Sequence, residues 1–128
     1  MAHLLLIDDD KSLREILAMT LEQAGHVVRE AKDGRDGVMQ FRREPADVVI
    51  TDLIMPGQEG IETIVALRKE RPKLPIIAMS GGVEHSPVYL GLAKKLGAQR
   101  TLAKPFSGEE LLKAIDEVLA EARGGEPV

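Results

Sequence analysis

At 128 residues, with hydrophobic types at 44% and charged types at 30%, the chain is sized for one compact domain with one core and is too short for two typical domains. A formal net charge of −4 and a pI of about 5.4 leave no basic footprint, which argues against direct nucleic-acid binding by this domain. The absence of cysteine excludes a disulfide framework, a Cys-type zinc site and thiol chemistry, which fits a cytoplasmic location. The run Leu4 to Ile7 is far too short for a signal segment or a membrane span.

With aromatics at only 2%, the core must come from Leu, Ile, Val, Ala and Met. Residues 3 to 8 form an apolar run stopped by acids, the pattern of a strand buried on both faces. Leu13, Ile16, Leu17, Thr20, Leu21 and Ala24 then recur at helical spacing, with Arg14, Glu15, Glu22 and Gln23 opposite and Gly25 as the stop. Either Asp10 caps this helix or Ser12 and Glu15 form a capping box. Val27 to Ala31 reads as a second strand, and Asp33-Gly34 leads into a helix carrying Val38, Met39 and Phe41 that Pro45 ends.

Val48-Val49-Ile50 is a buried strand by its β-branched run, and it delivers Asp52 to the mouth of the sheet before the turn Pro56-Gly57. Ile61, Ile64, Val65 and Arg68 trace a third helix, ended by Arg71-Pro72. Pro75 to Met79 is a fourth strand closing on Ser80-Gly81-Gly82. A fourth helix follows to Leu96, with Ser86 as N-cap, Pro87 at its first position and Gly97 as stop. Residues 99 to 103 make a short fifth strand delivering Lys104-Pro105-Phe106. Ser107 caps a last helix whose buried stripe is Leu111, Leu112, Ile115, Val118, Leu119 and Ala122. Residues 1–122 are expected to form the domain, and 123–128 a flexible tail. Strand and helix alternate five times, which predicts a doubly wound α/β fold with a five-stranded parallel sheet in order 2-1-3-4-5.

In that order strands one and three are neighbours, so Asp8, Asp9 and Asp52 fall side by side at the topological switch point. Asp52 alone is open to three roles: cap, metal ligand or nucleophile. Three converging carboxylates repel unless a cation neutralises them, and oxygen-only donors favour Mg²⁺ or Mn²⁺ over zinc. Ser80 and Lys104, at the ends of strands four and five, add a hydroxyl and an ammonium suited to phosphoryl oxygens. Together these point to phosphoryl transfer onto Asp52. His3, His26 and His85 show no ligand spacing and read as surface or strand-edge residues, and the methionines read as packing residues.

The series Ile7-Asp8-Asp9-Asp10, Asp52 followed by Met55-Pro56-Gly57, Ser80 after an apolar strand, and Lys104-Pro105-Phe106 closely resembles the receiver domain of two-component response regulators, over essentially the whole chain. The resemblance implies Asp52 as phosphoacceptor, Asp8 and Asp9 as a Mg²⁺ pair, the backbone carbonyl of Ile54 as a further metal ligand, Ser80 as switch hydroxyl and Lys104 as phosphate-binding lysine. It implies a sensor histidine kinase or histidine phosphotransfer protein as donor. Output then runs through the helix 4, strand 5 and helix 5 surface, to a separate protein or to an effector domain outside this chain. It also implies a monomer or a weak dimer formed on phosphorylation, and a protein that catalyses only its own phosphorylation and dephosphorylation.

Two features depart from the receiver pattern. The usual switch aromatic, three residues before the lysine, is Thr101, and the spacing from Ser80 to Lys104 is longer than the commonest one. Tyr89, the only tyrosine, is either a stand-in for that aromatic or a partly exposed packing residue. Two other readings compete. One is a small phosphatase resembling the haloacid dehalogenase family, with Asp8 as nucleophile and Asp10 as acid, which leaves Asp52 without a role. The other is a receiver fold used as an unphosphorylated interaction module.

Overall fold

The computed structural model describes residues 1–53, 59–81 and 86–123, apart from the side chains of Glu59, Ser86, Pro87, Tyr89 and Leu90. Ile54, the turn Met55-Pro56-Gly57, Gly82, His85, residues 124–128 and the side chain of Tyr89 therefore lie outside what is described here. Strands β1 (His3–Ile7), β2 (Val27–Ala31), β3 (Val48–Asp52), β4 (Ile76–Ser80) and β5 (Arg100–Ala103) alternate with helices α1 (Lys11–Gln23), α2 (Gly34–Arg43), α3 (Glu59–Glu70), α4 (Ser86–Leu96) and α5 (Gly108–Ala122). The strands pair in parallel in the order β2-β1-β3-β4-β5, as the sequence predicts.

Strand alternation divides the core in two. Leu5, Ile7, Val49, Ile76 and Ala78 point to the face covered by α2, α3 and α4, where Val38, Phe41, Ile64, Leu67 and Ala93 meet them. Leu4, Leu6, Val48, Ile50, Ile77 and Met79 point to the other face and pack on Leu17, Ala18 and Leu21 of α1 and Leu111, Ile115 and Val118 of α5. Both faces being covered explains why β3 and β4 are buried at every position, while β2 and β5, at the edges, are only partly so.

The helix ends follow their local chemistry. The Asp10 side chain accepts from the Leu13 backbone N–H at 3.1 Å, which settles the start of α1 in favour of Asp10. Ser107 and Glu110 form a reciprocal capping box on α5. Gly25 (φ 96°) and Gly97 (φ 119°) hold the left-handed conformation after α1 and α4. In each case the next residue's N–H reaches back to a helix carbonyl, His26 to Leu21 at 3.2 Å and Ala98 to Ala93 at 2.9 Å, so both ends are Schellman stops.

Three expectations are corrected. The buried arc of α1 is turned toward Ala18 and Arg14, so Ile16 is 60% exposed instead of lying in the stripe, and Ala24 is exposed at the helix end. The physical reason is that Leu13, Leu17, Ala18 and Leu21 alone fill the space between α1 and the sheet, which leaves Ile16 at the margin of that arc. Met1, Met19 and Met39 are exposed, not packing residues, because the strands already fill both layers with Leu, Ile and Val; among the described methionines only Met79 is buried. Ala122, expected in the buried stripe of α5, is exposed at the end of that helix. Helix α4 spans Ser86–Leu96 as expected, and the cap role expected of the Ser86 side chain lies outside the described residues. Among the described residues, no helix is long and apolar enough to cross a membrane.

Candidate functional site

Ile7 of β1 pairs with Thr51 of β3, so the next residues, Asp8 and Asp52, come abreast where the two strands leave the core. The helices that follow these strands lie on opposite faces of the sheet, and the cleft between them opens at this point. Asp8 is fully buried, Asp52 is 4% exposed and Asp9 faces solvent. One carboxylate oxygen from each of the three lies within 4.8 Å of the others.

Local bonds fix each group. Asp8 Oδ1 accepts from the Asp10 N–H at 2.9 Å, while the Asp8 N–H donates to the Ala31 carbonyl at 3.2 Å as the last rung toward β2. The Thr51 hydroxyl donates to the Asp52 carbonyl at 3.1 Å. Ser80, fully buried at the end of β4, accepts the Lys104 N–H on its carbonyl at 2.7 Å, which ties the lysine to the strand beside Asp52. From there the lysine stem passes Gly81, where a β-carbon would sit 3.2 Å from Lys104 Cδ.

The Lys104 ammonium donates to Asp8 Oδ2 at 3.2 Å and to Asp52 Oδ2 at 3.3 Å. Burial draws its pKa down, but attraction from Asp52 and Asp8, with the hydrogen bonds to both, outweighs that loss and leaves the pKa above the ordinary lysine value. One ammonium still faces three carboxylates. Hard oxygen donors in excess of local positive charge, with no nitrogen or sulfur ligand in the group, fit a small divalent cation, so Asp8, Asp9 and Asp52 could hold a metal ion. Of the six residues expected at the site, the structure brings Asp8, Asp9, Asp52 and Lys104 together and places Ser80 on the neighbouring strand end. Ile54 is outside the described residues.

The two described histidines stand apart from this group. His3 is exposed, and His26 is half-buried with Nδ1 accepting from the Ala2 N–H at 3.2 Å.

Two residues of the site escaped sequence reasoning. Arg14, expected on the outer face of α1, donates from Nη1 to the Asp8 carbonyl at 2.8 Å and from Nε to Glu30 at 2.9 Å. Gly60, in the first turn of α3, lets that helix pass so close to the end of β3 that a β-carbon would lie 2.4 Å from the Asp52 carbonyl oxygen and 2.4 Å from Leu53 Cα. A glycine inside a helical pattern, where alanine would be the better helix former, was the available signal for it. Because the obstructing atoms are backbone, Gly60→Ala is expected to displace α3 from the strand end and cost about 1–3 kcal/mol, read from the urea midpoint. An unchanged midpoint would mean that α3 shifts without cost.

The doubly wound order, the acidic group at its switch point and the lysine reaching across it define an α/β domain of the receiver type. A family model of the response regulator receiver domain matches residues 4–116, and the chain belongs to that family. It is 38% identical over 122 residues to protein PilH of Pseudomonas aeruginosa, covering 94% of this chain and 99% of PilH. It is 33% identical over 122 residues to the transcriptional regulatory protein GlrR of Escherichia coli, where the match covers 94% of this chain but 27% of GlrR. Among solved structures, the chemotaxis protein CheY4 of Vibrio cholerae superposes with a TM-score of 0.83 at 33% identity, covering 92% of this chain and 98% of CheY4. A response regulator receiver domain protein from Clostridium thermocellum superposes with a TM-score of 0.89 at 28% identity, covering 98% of this chain and all of that one. The chain is thus a receiver domain of a two-component response regulator, with the acidic pocket typical of phosphoacceptor sites.

Proposed function

We propose that the domain takes a phosphoryl group from a phosphohistidine donor, on a sensor kinase or a histidine phosphotransfer protein, onto Asp52. The observation that carries this reading is the Lys104 ammonium bridging Asp8 and Asp52 beside the exposed Asp9. Asp52, ion-paired with the lysine, attacks phosphorus with a carboxylate oxygen. The bond from phosphorus to the donor imidazole breaks, and the imidazole leaves with that electron pair. Lys104 binds an equatorial oxygen of the transferring group, and the Ser80 hydroxyl donates to another once the aspartyl phosphate has formed. A Mg²⁺ or Mn²⁺ ion held by Asp8, Asp9 and Asp52 would supply further neutralisation of phosphoryl charge. Beyond this self-modification and its hydrolysis, the domain turns over no substrate.

Phosphorylation adds roughly −1.5 to −2 charge at the carboxyl end of the sheet. The tether from Ser80 to Lys104 couples that charge to β4 and β5, and so to the face formed by α4, β5 and α5. A partner that prefers one state of this face reads the mark; the two candidates are a separate output protein and an effector domain joined to a receiver, as the length of GlrR beyond the matched region suggests.

The test is intact-mass measurement after exposure to acetyl phosphate. One phosphoryl group is expected to be gained with Mg²⁺, lost to hydroxylamine as an acyl phosphate must be, and not gained with EDTA. No gain, or a gain that hydroxylamine leaves in place, overturns the proposal.

A further inference from the structure

Arg14 is the one arginine among the described residues that bonds directly to the backbone of the acidic site, and the phosphoryl transfer proposed above gives it no task. Its side chain is 13% exposed, which is costly for a guanidinium unless the partners repay the lost hydration. Both partners are at the sheet edge: the Asp8 carbonyl at 2.8 Å and the Glu30 carboxylate of β2 at 2.9 Å. The Asp8 carbonyl belongs to the peptide that joins Asp8 to Asp9, and it lies beyond the last residue of β1, where no strand partner remains to orient it.

We infer that Arg14 is a positioning residue for the metal-binding acids: by holding the Asp8 carbonyl, it fixes the plane of the Asp8–Asp9 peptide and thereby the direction of the Asp9 carboxylate. The inference rests on the reading that Asp8, Asp9 and Asp52 hold a divalent cation. Three anchors then act on this short segment. The Asp10 N–H holds Asp8 Oδ1, Lys104 holds Asp8 Oδ2, and Arg14 holds the carbonyl between the two acids. Asp9 itself is exposed, and its peptide is the only part of it that these bonds restrain. Glu30 completes the device by fixing the fork of the guanidinium from the neighbouring strand.

Charge and position make opposite demands, which gives the inference a sharp test. A guanidinium on the Asp8 carbonyl adds positive charge beside the acidic group and repels a bound cation, so if its charge were what mattered, removing it would tighten metal binding. If its positioning matters, removal loosens binding, as loss of an outer-shell partner typically does by about 10-fold or more. Mg²⁺ titration by calorimetry on the full chain is therefore expected to show about 10-fold weaker binding for Arg14→Met. Arg14→Lys, which keeps the charge and can still donate one bond, and Glu30→Gln, which keeps the arginine but weakens its anchor, should fall between that variant and the unaltered protein. Unchanged or tighter Mg²⁺ binding in folded Arg14→Met overturns the inference, as does a fall in its urea midpoint with no change in affinity. If Arg14→Met does not fold, the same sign is required of Arg14→Lys and Glu30→Gln. An unaltered protein that binds no Mg²⁺ overturns the metal reading itself, an outcome separate from the failure of Arg14.

Discussion

Asp52→Asn is expected to abolish phosphoryl incorporation from acetyl phosphate while leaving the metal-free fold at least as stable as the original. Asparagine keeps the shape of the side chain but lacks the anionic oxygen that must attack phosphorus. It also removes one of three mutually repelling carboxylates, and Lys104 keeps its bond to Asp8, so stability without metal should rise by on the order of 1 kcal/mol. Neither of the other acids can substitute. Asp8 is fully buried with Oδ1 engaged by the Asp10 N–H and Oδ2 by Lys104, and Asp9 lies on the exposed side of the group without contact to the lysine among the bonds described. Intact-mass labelling beside urea unfolding reads both effects. Label that persists in Asp52→Asn and vanishes in Asp8→Asn would instead favour the phosphatase-like reading with Asp8 as nucleophile.

The strands and their order were legible because a parallel sheet covered on both faces writes itself as short, continuous apolar runs, and each run here ends in a residue the core cannot hold. Ile7 gives way to Asp8, Thr51 to Asp52 and Ala103 to Lys104. The site was legible for the same reason, since the residues that end alternate strands of such a sheet must gather at one edge. What was hidden lies in contacts with no periodic trace. The helical pattern of α1 placed Arg14 outward, because an arginine scores as surface in any hydrophobic stripe; only the position of the Asp8 carbonyl, a tertiary fact, turns it in. The same pattern placed Ile16 in the stripe, whereas the arc that packs on the sheet leaves it facing solvent.

The missing aromatic has a related lesson. Thr101 pairs with Ala78 in the middle of β5 and is half-buried, so neither residue offers a ring whose rotation could report on Ser80. The backbone offers a shorter route. The Lys104 N–H on the Ser80 carbonyl ties these two strand-end residues to one another, and Ser80 pairs with Ala103 in the register of β4 and β5. A small inward movement of Ser80 would therefore draw the end of β5 with it, and coupling between site and surface needs only that this element have two arrangements.

Lys104→Met should show how much of the fold depends on that same lysine. Removing the ammonium leaves Asp8 and Asp52 buried side by side without the cation that both carboxylates accept from. The Lys104 side chain retains 19% exposure, so the expected loss in EDTA is about 2 kcal/mol, below the roughly 3–5 kcal/mol typical of breaking a fully enclosed pair. Mg²⁺ should narrow the gap, because a cation on the same carboxylates replaces part of the missing charge. The pH dependence has a definite direction. The folded-state pKa of Lys104 lies above the unfolded value, so its stabilisation is complete below about 10.4, the ordinary lysine value, and is lost as pH rises through the higher folded value. Urea midpoints for the two proteins should therefore stay a constant distance apart from neutral pH into the alkaline range and converge only above it. Convergence already near neutral pH, or a gap that Mg²⁺ leaves unchanged, would show that Lys104 is not what balances Asp8 and Asp52.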